Sequence, residues 1–296
     1  TEVNCIGCRT LSDATTYLAH QESPATETSK ATFSPKSSAD MSEVRGHQIP
    51  KRVLEIAGPR ALRHVRCALT DAWQREGLME RYVDDMSQRY GHGLAKQAWA
   101  VRPCVLPDAL YPDIWLTGQG LEAIQRMPTE QPWLLWISFV GPHEPFDTPA
   151  RWSNNKPHPL PEPIPAGDWI SQLPDTCELN KTLQRWHGRL SKTDIGAFRQ
   201  DYANHLQLLD AQIQQLLAAL AKRDDASQTA IAVTSDHGEM LGDHNMLYKG
   251  TFLEASIRVP FQYCPPPSLN NEAKILNRPV GLTQLFSKKK AGKMEW

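Results

Sequence analysis

The stretch from Ser235 to Lys249, SDHGEMLGDHNMLYK, sets two Asp-His pairs, Asp236-His237 and Asp243-His244, close to a lysine. A carboxylate oxygen beside an imidazole nitrogen suits a divalent cation of hard or borderline character. Gly238 lets the backbone turn tightly beneath the first pair. Lys249 brings a compact positive charge suited to one oxygen of a sulfate or phosphate ester, and the distant His143 offers a second donor to the same anion. An isolated Asp-His pair after a strand is more often a cap or a turn than a ligand. Clustered carboxylates and imidazoles with a nearby lysine also satisfy the requirements of a metal site that hydrolyses anions. Residue types alone leave the two readings evenly matched.

The neighbouring segments explain how such residues would meet. Residues 133–140, WLLWISFV, are strand-prone without polar alternation, the pattern of a parallel strand covered on both faces, and they run into Gly141-Pro142-His143. Ile195, Phe198, Tyr202, Leu206, Leu209, Ile213, Leu216 and Leu220 form one apolar helical stripe. Ser191 or Thr193 can cap its start, and Lys222-Arg223 suits its end. A second buried strand over residues 229–235 then ends in Asp236-His237. Strand, helix, strand implies a right-handed crossover in a parallel sheet, with ligands outside the carboxyl ends of the strands. His143 and Asp236-His237 both lie just past such ends.

Upstream, residues 53–89 read as helices interrupted at Gly58-Pro59, and Asp84-Asp85 reads as a solvated helix face rather than a metal pair. Residues 115–127 read as a helix closed off by Pro128 and Pro132. The Pro-rich stretch 148–180 predicts a long surface excursion bordering the site. Residues 1–50, rich in Ser and Thr, predict a poorly ordered arm, which leaves 51–296 as the α/β domain.

Composition narrows the partners. Of 296 residues, 32 are Lys or Arg and 33 Asp or Glu, so a formal charge of -1 offers no general attraction for nucleic acid or anionic membrane. The longest apolar run is far short of the roughly 20 residues that span a bilayer. Of the six cysteines only Cys5 and Cys8 form a CxxC, weak ground for zinc or redox chemistry. No signal peptide is visible at Thr1, so a cytoplasmic location is favoured, and nothing fixes the oligomeric state.

The run from Thr234 to His244, with Tyr248-Lys249-Gly250-Thr251-Phe252 and Ile257-Arg258-Val259-Pro260-Phe261, resembles the C-terminal signature of the sulfatase family in the alkaline phosphatase superfamily. Residues 111–124, Ser138-Phe139-Val140-Gly141-Pro142-His143-Glu144-Pro145-Phe146, and the helix from Tyr202 to Asp210 resemble the family in the expected order. The resemblance implies an incomplete alkaline-phosphatase-like α/β domain, with a mainly parallel sheet flanked by helices. It makes Asp236 and His237 ligands of one divalent metal ion, calcium first, with manganese, magnesium and zinc as alternatives. Lys249 and His143 would contact the ester's non-bridging oxygens and stabilise transition-state charge. Glu239, Asp243, His244 and Arg258 would support them. The implied reaction is hydrolysis of a small sulfate ester. Many relatives have Asn where this chain has His237, and the His form resembles phosphonate monoester and phosphodiester hydrolases.

Parts of the family pattern are missing from the sequence. No Cys/Ser-x-Pro-x-Arg, the family's formylglycine segment, occurs: Cys104-Val105-Leu106-Pro107 is misspaced, and Ser23-Pro24 and Ser34-Pro35 put proline too early. The strand ending in paired metal-binding aspartates is also not found, since Asp84-Asp85 follows a helical pattern. Little of the family's C-terminal subdomain is present, and Lys288-Lys289-Lys290 reads as a solvated tail. A nucleophile and its metal ligands act as a unit, so the expectation is little or no turnover by this chain alone. A truncated product, one half of a split enzyme and a non-catalytic relative all remain open.

Overall fold

The structure is a computed structural model that describes residues 52–57 (backbone), 68–90, 99–153, 159–174, 177–186, 188–267 and 281. The N-terminal arm, the CxxC and the lysine-rich tail lie outside the described residues.

The first element corrects the helical reading of residues 53–57. Strand β1 (Arg52–Ala57) pairs in parallel with β2 (Trp133–Ser138), in a register running from Arg52 opposite Trp133 to Ala57 opposite Ser138. Six residues bounded by Gly58-Pro59 are too few for apolar spacing to separate helix from strand, and Val53 and Ile56 favour the pleated form. Helices α1 (Ala68–Arg75) and α2 (Met79–Tyr90) follow, joined through Leu69, Trp73 and Tyr82. Asp84 is exposed as expected, whereas Asp85 is buried. Its carboxylate accepts from Arg89 Nε at 2.7 Å and lies 3.3 Å from Arg102, because a buried carboxylate needs a counter-charge.

Helix α3 (Pro112–Arg126) starts with proline in its first turn, where the missing N–H costs nothing. Gly120 lets it approach closely: a Cβ there would lie 2.8 Å from both Ile137 of β2 and Leu216. The excursion contains α4 (Ala150–Ser153) and α5 (Glu178–Trp186). Helix α6 (Lys192–Leu220) is the spine, and Ser191 is its cap: Ser191 Oγ accepts from Asp194 N at 3.0 Å while Asp194 Oδ2 accepts from Ser191 N at 3.1 Å. Beyond its end, Arg223 donates to the carbonyls of Met127 and Pro128 and pairs with Asp225, tying α6 to the end of α3.

Strand β3 (Ile231–Thr234) pairs antiparallel with β4 (Phe261–Cys264), with helix α7 (Glu254–Ile257) in between. The described strands thus form one parallel and one antiparallel pair. The order strand, helix, strand predicted for β2, α6 and β3 is observed, but β2 and β3 are not hydrogen-bonded neighbours among the described residues. Order along the chain does not dictate adjacency in a sheet. Nor is β2 covered on both faces, since Leu134 and Trp136 are each 44% exposed. The main core lies under the predicted site, where Phe146, Ile195 and Phe198 pack with Met240, Met246 and Leu247.

Candidate active site

The loop after β3 is shaped by contacts that only certain residues allow. Gly238 N donates to Ser256 O at 2.7 Å, and a Cβ on Gly238 would come 2.1 Å from Ala255 O, so any other residue there would push α7 away. Met240 N donates to Tyr248 O and Gly242 N to Met246 O, which makes residues 240–248 a closed hairpin-like turn. Within it Leu241, His244, Asn245 and Tyr248 all have positive φ, a conformation that costs free energy in non-glycine residues and must be held by surrounding structure. Three anchors hold it: Met240, Met246 and Leu247 are 1%, 0% and 2% exposed. Burying each stabilises by roughly 1.5–3 kcal/mol.

The turn carries Lys249 to His143. Lys249 Nζ lies 2.5 Å from His143 Nε2, a contact between residues 106 positions apart in sequence. His143 Nδ1 lies 2.8 Å from Glu144 O, and because a carbonyl can only accept, Nδ1 carries the proton. Nε2 then offers its lone pair to the lysine ammonium. Glu144 Oε2 sits 3.1 Å from His143 Nδ1 and 3.7 Å from Lys249 Nζ, a carboxylate facing both groups to which the sequence reading gave no role.

His237 stands beside them, its ring centroid 6.4 Å from that of His143. Its Nδ1 donates to Gly238 O at 2.8 Å, which leaves Nε2 as the free electron-pair donor, 3.7 Å from Asp236 Oδ2. An imidazole fixed through its other nitrogen by a carbonyl, next to a carboxylate, fits two donors to one divalent cation. Among the described residues, no group of three or more His, Cys, Asp or Glu side chains is placed to hold a metal ion. Asp236 and His237 are thus two neighbouring donors, fewer than a divalent cation usually takes.

Asp243 and His244 face elsewhere. Asp243 Oδ1 accepts from Ile164 N at 3.0 Å, and His244 donates its N–H to Ile164 O at 2.7 Å. Arg199 on α6 donates to Leu241 O and Pro161 O, so helix, site turn and excursion are stitched together. Glu239 accepts from the N–H groups of Leu241 and Tyr248, behind Lys249. Burial pushes its carboxyl up to about 7, against the pull of those two hydrogen bonds. Arg258 is half exposed, 3.9 Å from Glu254. Cys104 is half-buried as a residue, yet burial of its thiol pushes the pKa far above the ordinary range, which suits packing rather than attack.

A second buried group of charges was missed by the sequence reading. Asp113, His205, Asp147 and Asp201 are all under 5% exposed and lie around Tyr111. On α6 the buried face around His205 also holds Asp201, Asn204 and Gln212, so no apolar pattern marked it in the sequence.

Comparison with known proteins gives the family of the chain. The family model described as Sulfatase matches residues 70–282. An arylsulfatase of Clostridium perfringens is 33% identical over 196 residues, covering 64% of this chain and 40% of that protein. Human iduronate 2-sulfatase is 30% identical over 176 residues, covering 54% and 32%. Among solved structures, a phosphonate monoester hydrolase of Agrobacterium radiobacter has a TM-score of 0.47 at 24% identity, covering 57% of this chain and 36% of that one. The chain spans about a third to two-fifths of the length of these relatives. With the Sulfatase match running from within α1 through β4 and both loops of the site, this chain, an α/β domain, belongs to the sulfatase family.

Proposed function

We propose that this chain carries the ester-recognition side of a sulfate ester hydrolase site. The contact between His143 and Lys249 is the observation that supports it. An entering ester anion separates the pair: Lys249 turns an N–H toward one non-bridging oxygen, and His143 Nε2, once protonated, toward a second. Glu144 holds the imidazole through Nδ1 and keeps it aimed as its charge changes.

Asp236 and His237 Nε2 would hold a divalent metal, calcium in the first instance and manganese, magnesium or zinc otherwise. Such an ion supplies charge that lowers the pKa of a bound nucleophile and polarises the ester. The sequence lacks the formylglycine segment, so our reading assigns binding and charge stabilisation to these residues and expects turnover to be impaired in this chain.

His237 favours a second reading, hydrolysis of phosphonate monoesters or phosphodiesters, because the His form of the signature resembles the phosphoryl-hydrolysing members of the superfamily. The test is an assay of the chain with an aryl sulfate and a matched aryl phosphodiester, in calcium or manganese, alongside titration with inorganic sulfate. Saturable sulfate binding without multiple turnover is expected. Robust turnover would contradict the impairment, and no sulfate binding would contradict the site.

A further inference from the structure

Beneath the site lies a set of ionisable groups that takes no direct part in the anion pocket. Asp113 is 1% exposed and His205 4%. His205 Nε2 donates to Asp113 Oδ2 at 2.8 Å. The other oxygen, Asp113 Oδ1, accepts from the backbone N–H of Val140 at 2.8 Å and of Gly141 at 3.2 Å, just past the end of β2. His143 N in turn donates to Val140 O at 3.3 Å, so the turn that aims the imidazole closes on a residue that Asp113 already grips. Gly141 is pressed against the pair: a Cβ on it would lie 2.1 Å from His205 Nε2 and 2.5 Å from Asp113 Oδ2.

We propose that Asp113 and His205 are positioning residues for His143, a buried ion pair whose carboxylate fixes the Val140–Gly141 backbone and so sets the imidazole against Lys249. This rests on the reading of His143 as an ester-binding residue. The physical case has three steps. Two backbone donors leaving a strand need partners, and a carboxylate is a stronger one than a neutral group. A carboxylate so deeply buried needs a counter-charge, which His205 supplies from α6. A side chain carried by a turn follows that turn, so a shift of the Val140–Gly141 backbone moves the His143 imidazole relative to Lys249.

The pair is enclosed from every side. Tyr111, at the start of α3, places its hydroxyl 3.3 Å from both His205 Nε2 and Asp147 Oδ1. Asp147 comes from the loop after β2 and Asp201 from α6, while Arg89 of α2 and Cys104 act on Asp147 from the far side. Two α3 and α6 side chains thus clamp the end of β2 where the sheet meets the site.

The test follows the His143 ring by NMR in the histidine-labelled chain, with inorganic sulfate as probe. D113A removes the acceptor, H205L removes the counter-charge, and H205Q keeps an N–H donor toward Asp113. L69A is a buried control that packs with Trp73 and Tyr82 of α1 and α2 rather than with the turn. D113A and H205L are expected to move the His143 resonance in sulfate-free protein and to weaken sulfate binding about tenfold or more. H205Q, which keeps the hydrogen bond but not the charge, is expected to fall between H205L and the unmodified chain, and L69A to leave the resonance in place at matched loss of melting temperature. An unmoved resonance in H205L, or an equal displacement in L69A, overturns the proposal. If D113A does not fold, the H205L and H205Q pair decides it. A wild-type chain whose His143 ignores sulfate sinks the ester-site reading, whereas the sulfate-free resonances still judge the positioning role.

Discussion

At the scale of single residues, what could be read in advance and what could not divide along burial. His143, Asp236, His237 and Lys249 stand at strand ends and in a dense polar run, where a charged residue is conspicuous. Asp113 and His205 sit on helices with many other polar residues, and the period alone does not mark which of these turn inward. Glu144 stood in plain view beside His143, yet only the fold brings it within 3.7 Å of Lys249. Gly238 offers a direct check on the site's packing. G238A forces a Cβ to within 2.1 Å of Ala255 O, so denaturant unfolding should show a loss of about 1–3 kcal/mol, together with weaker metal response from Asp236 and His237. Unchanged stability would mean that α7 is free to move.

Between residues and the whole, the elements test where periodicity is informative. The long apolar stripe of α6 and its Ser191 cap were legible because 29 residues give the pattern many turns to repeat. The six residues of β1 gave it fewer than two, and the strand was read as helix. Uniformly apolar β2 hid which face is covered, since the exposure of Leu134 and Trp136 depends on neighbours rather than on type. S191A removes one of the two reciprocal bonds at the head of α6 and should cost about 1 kcal/mol by denaturant unfolding. Retained stability would show that the first turn is held by packing alone.

The elements also predict a pH dependence. Burial raises Asp147 to about 6 from an ordinary 3.8, opposed by Arg89 and His205. Burial pulls His205 down, but its hydrogen bond to Asp113 and the carboxylates Asp113, Asp201 and Asp147 outweigh this and raise it. Both groups bind protons more tightly folded than unfolded. Their stabilisation is therefore fully present below the unfolded values and is lost as pH rises through the folded ones. Between about pH 4 and 6 the wild type should lose up to about 3 kcal/mol relative to D147N, followed by denaturant unfolding. A parallel pH profile for the two proteins would remove Asp147 from the account.

For the whole molecule, the family match spans residues 70–282 while the chain covers only 40% and 32% of two of its relatives. No helix among the described residues is long and apolar enough to cross a membrane. Among the described residues, the candidate site offers two neighbouring donors where calcium prefers six to eight oxygens. Calcium should therefore bind this chain no more tightly than about 1 mM by calorimetry, and micromolar affinity would require ligands not yet identified.

The claim on which the functional account turns is that His143 and Lys249 act on one anion. A double-mutant cycle with H143A, K249A and the double variant, read by calorimetric titration with inorganic sulfate, tests this most directly. The account predicts strongly coupled losses, with the double variant little weaker than either single one and an interaction of about 1–3 kcal/mol. Losses that simply add, or sulfate affinity unchanged by K249A, would contradict it.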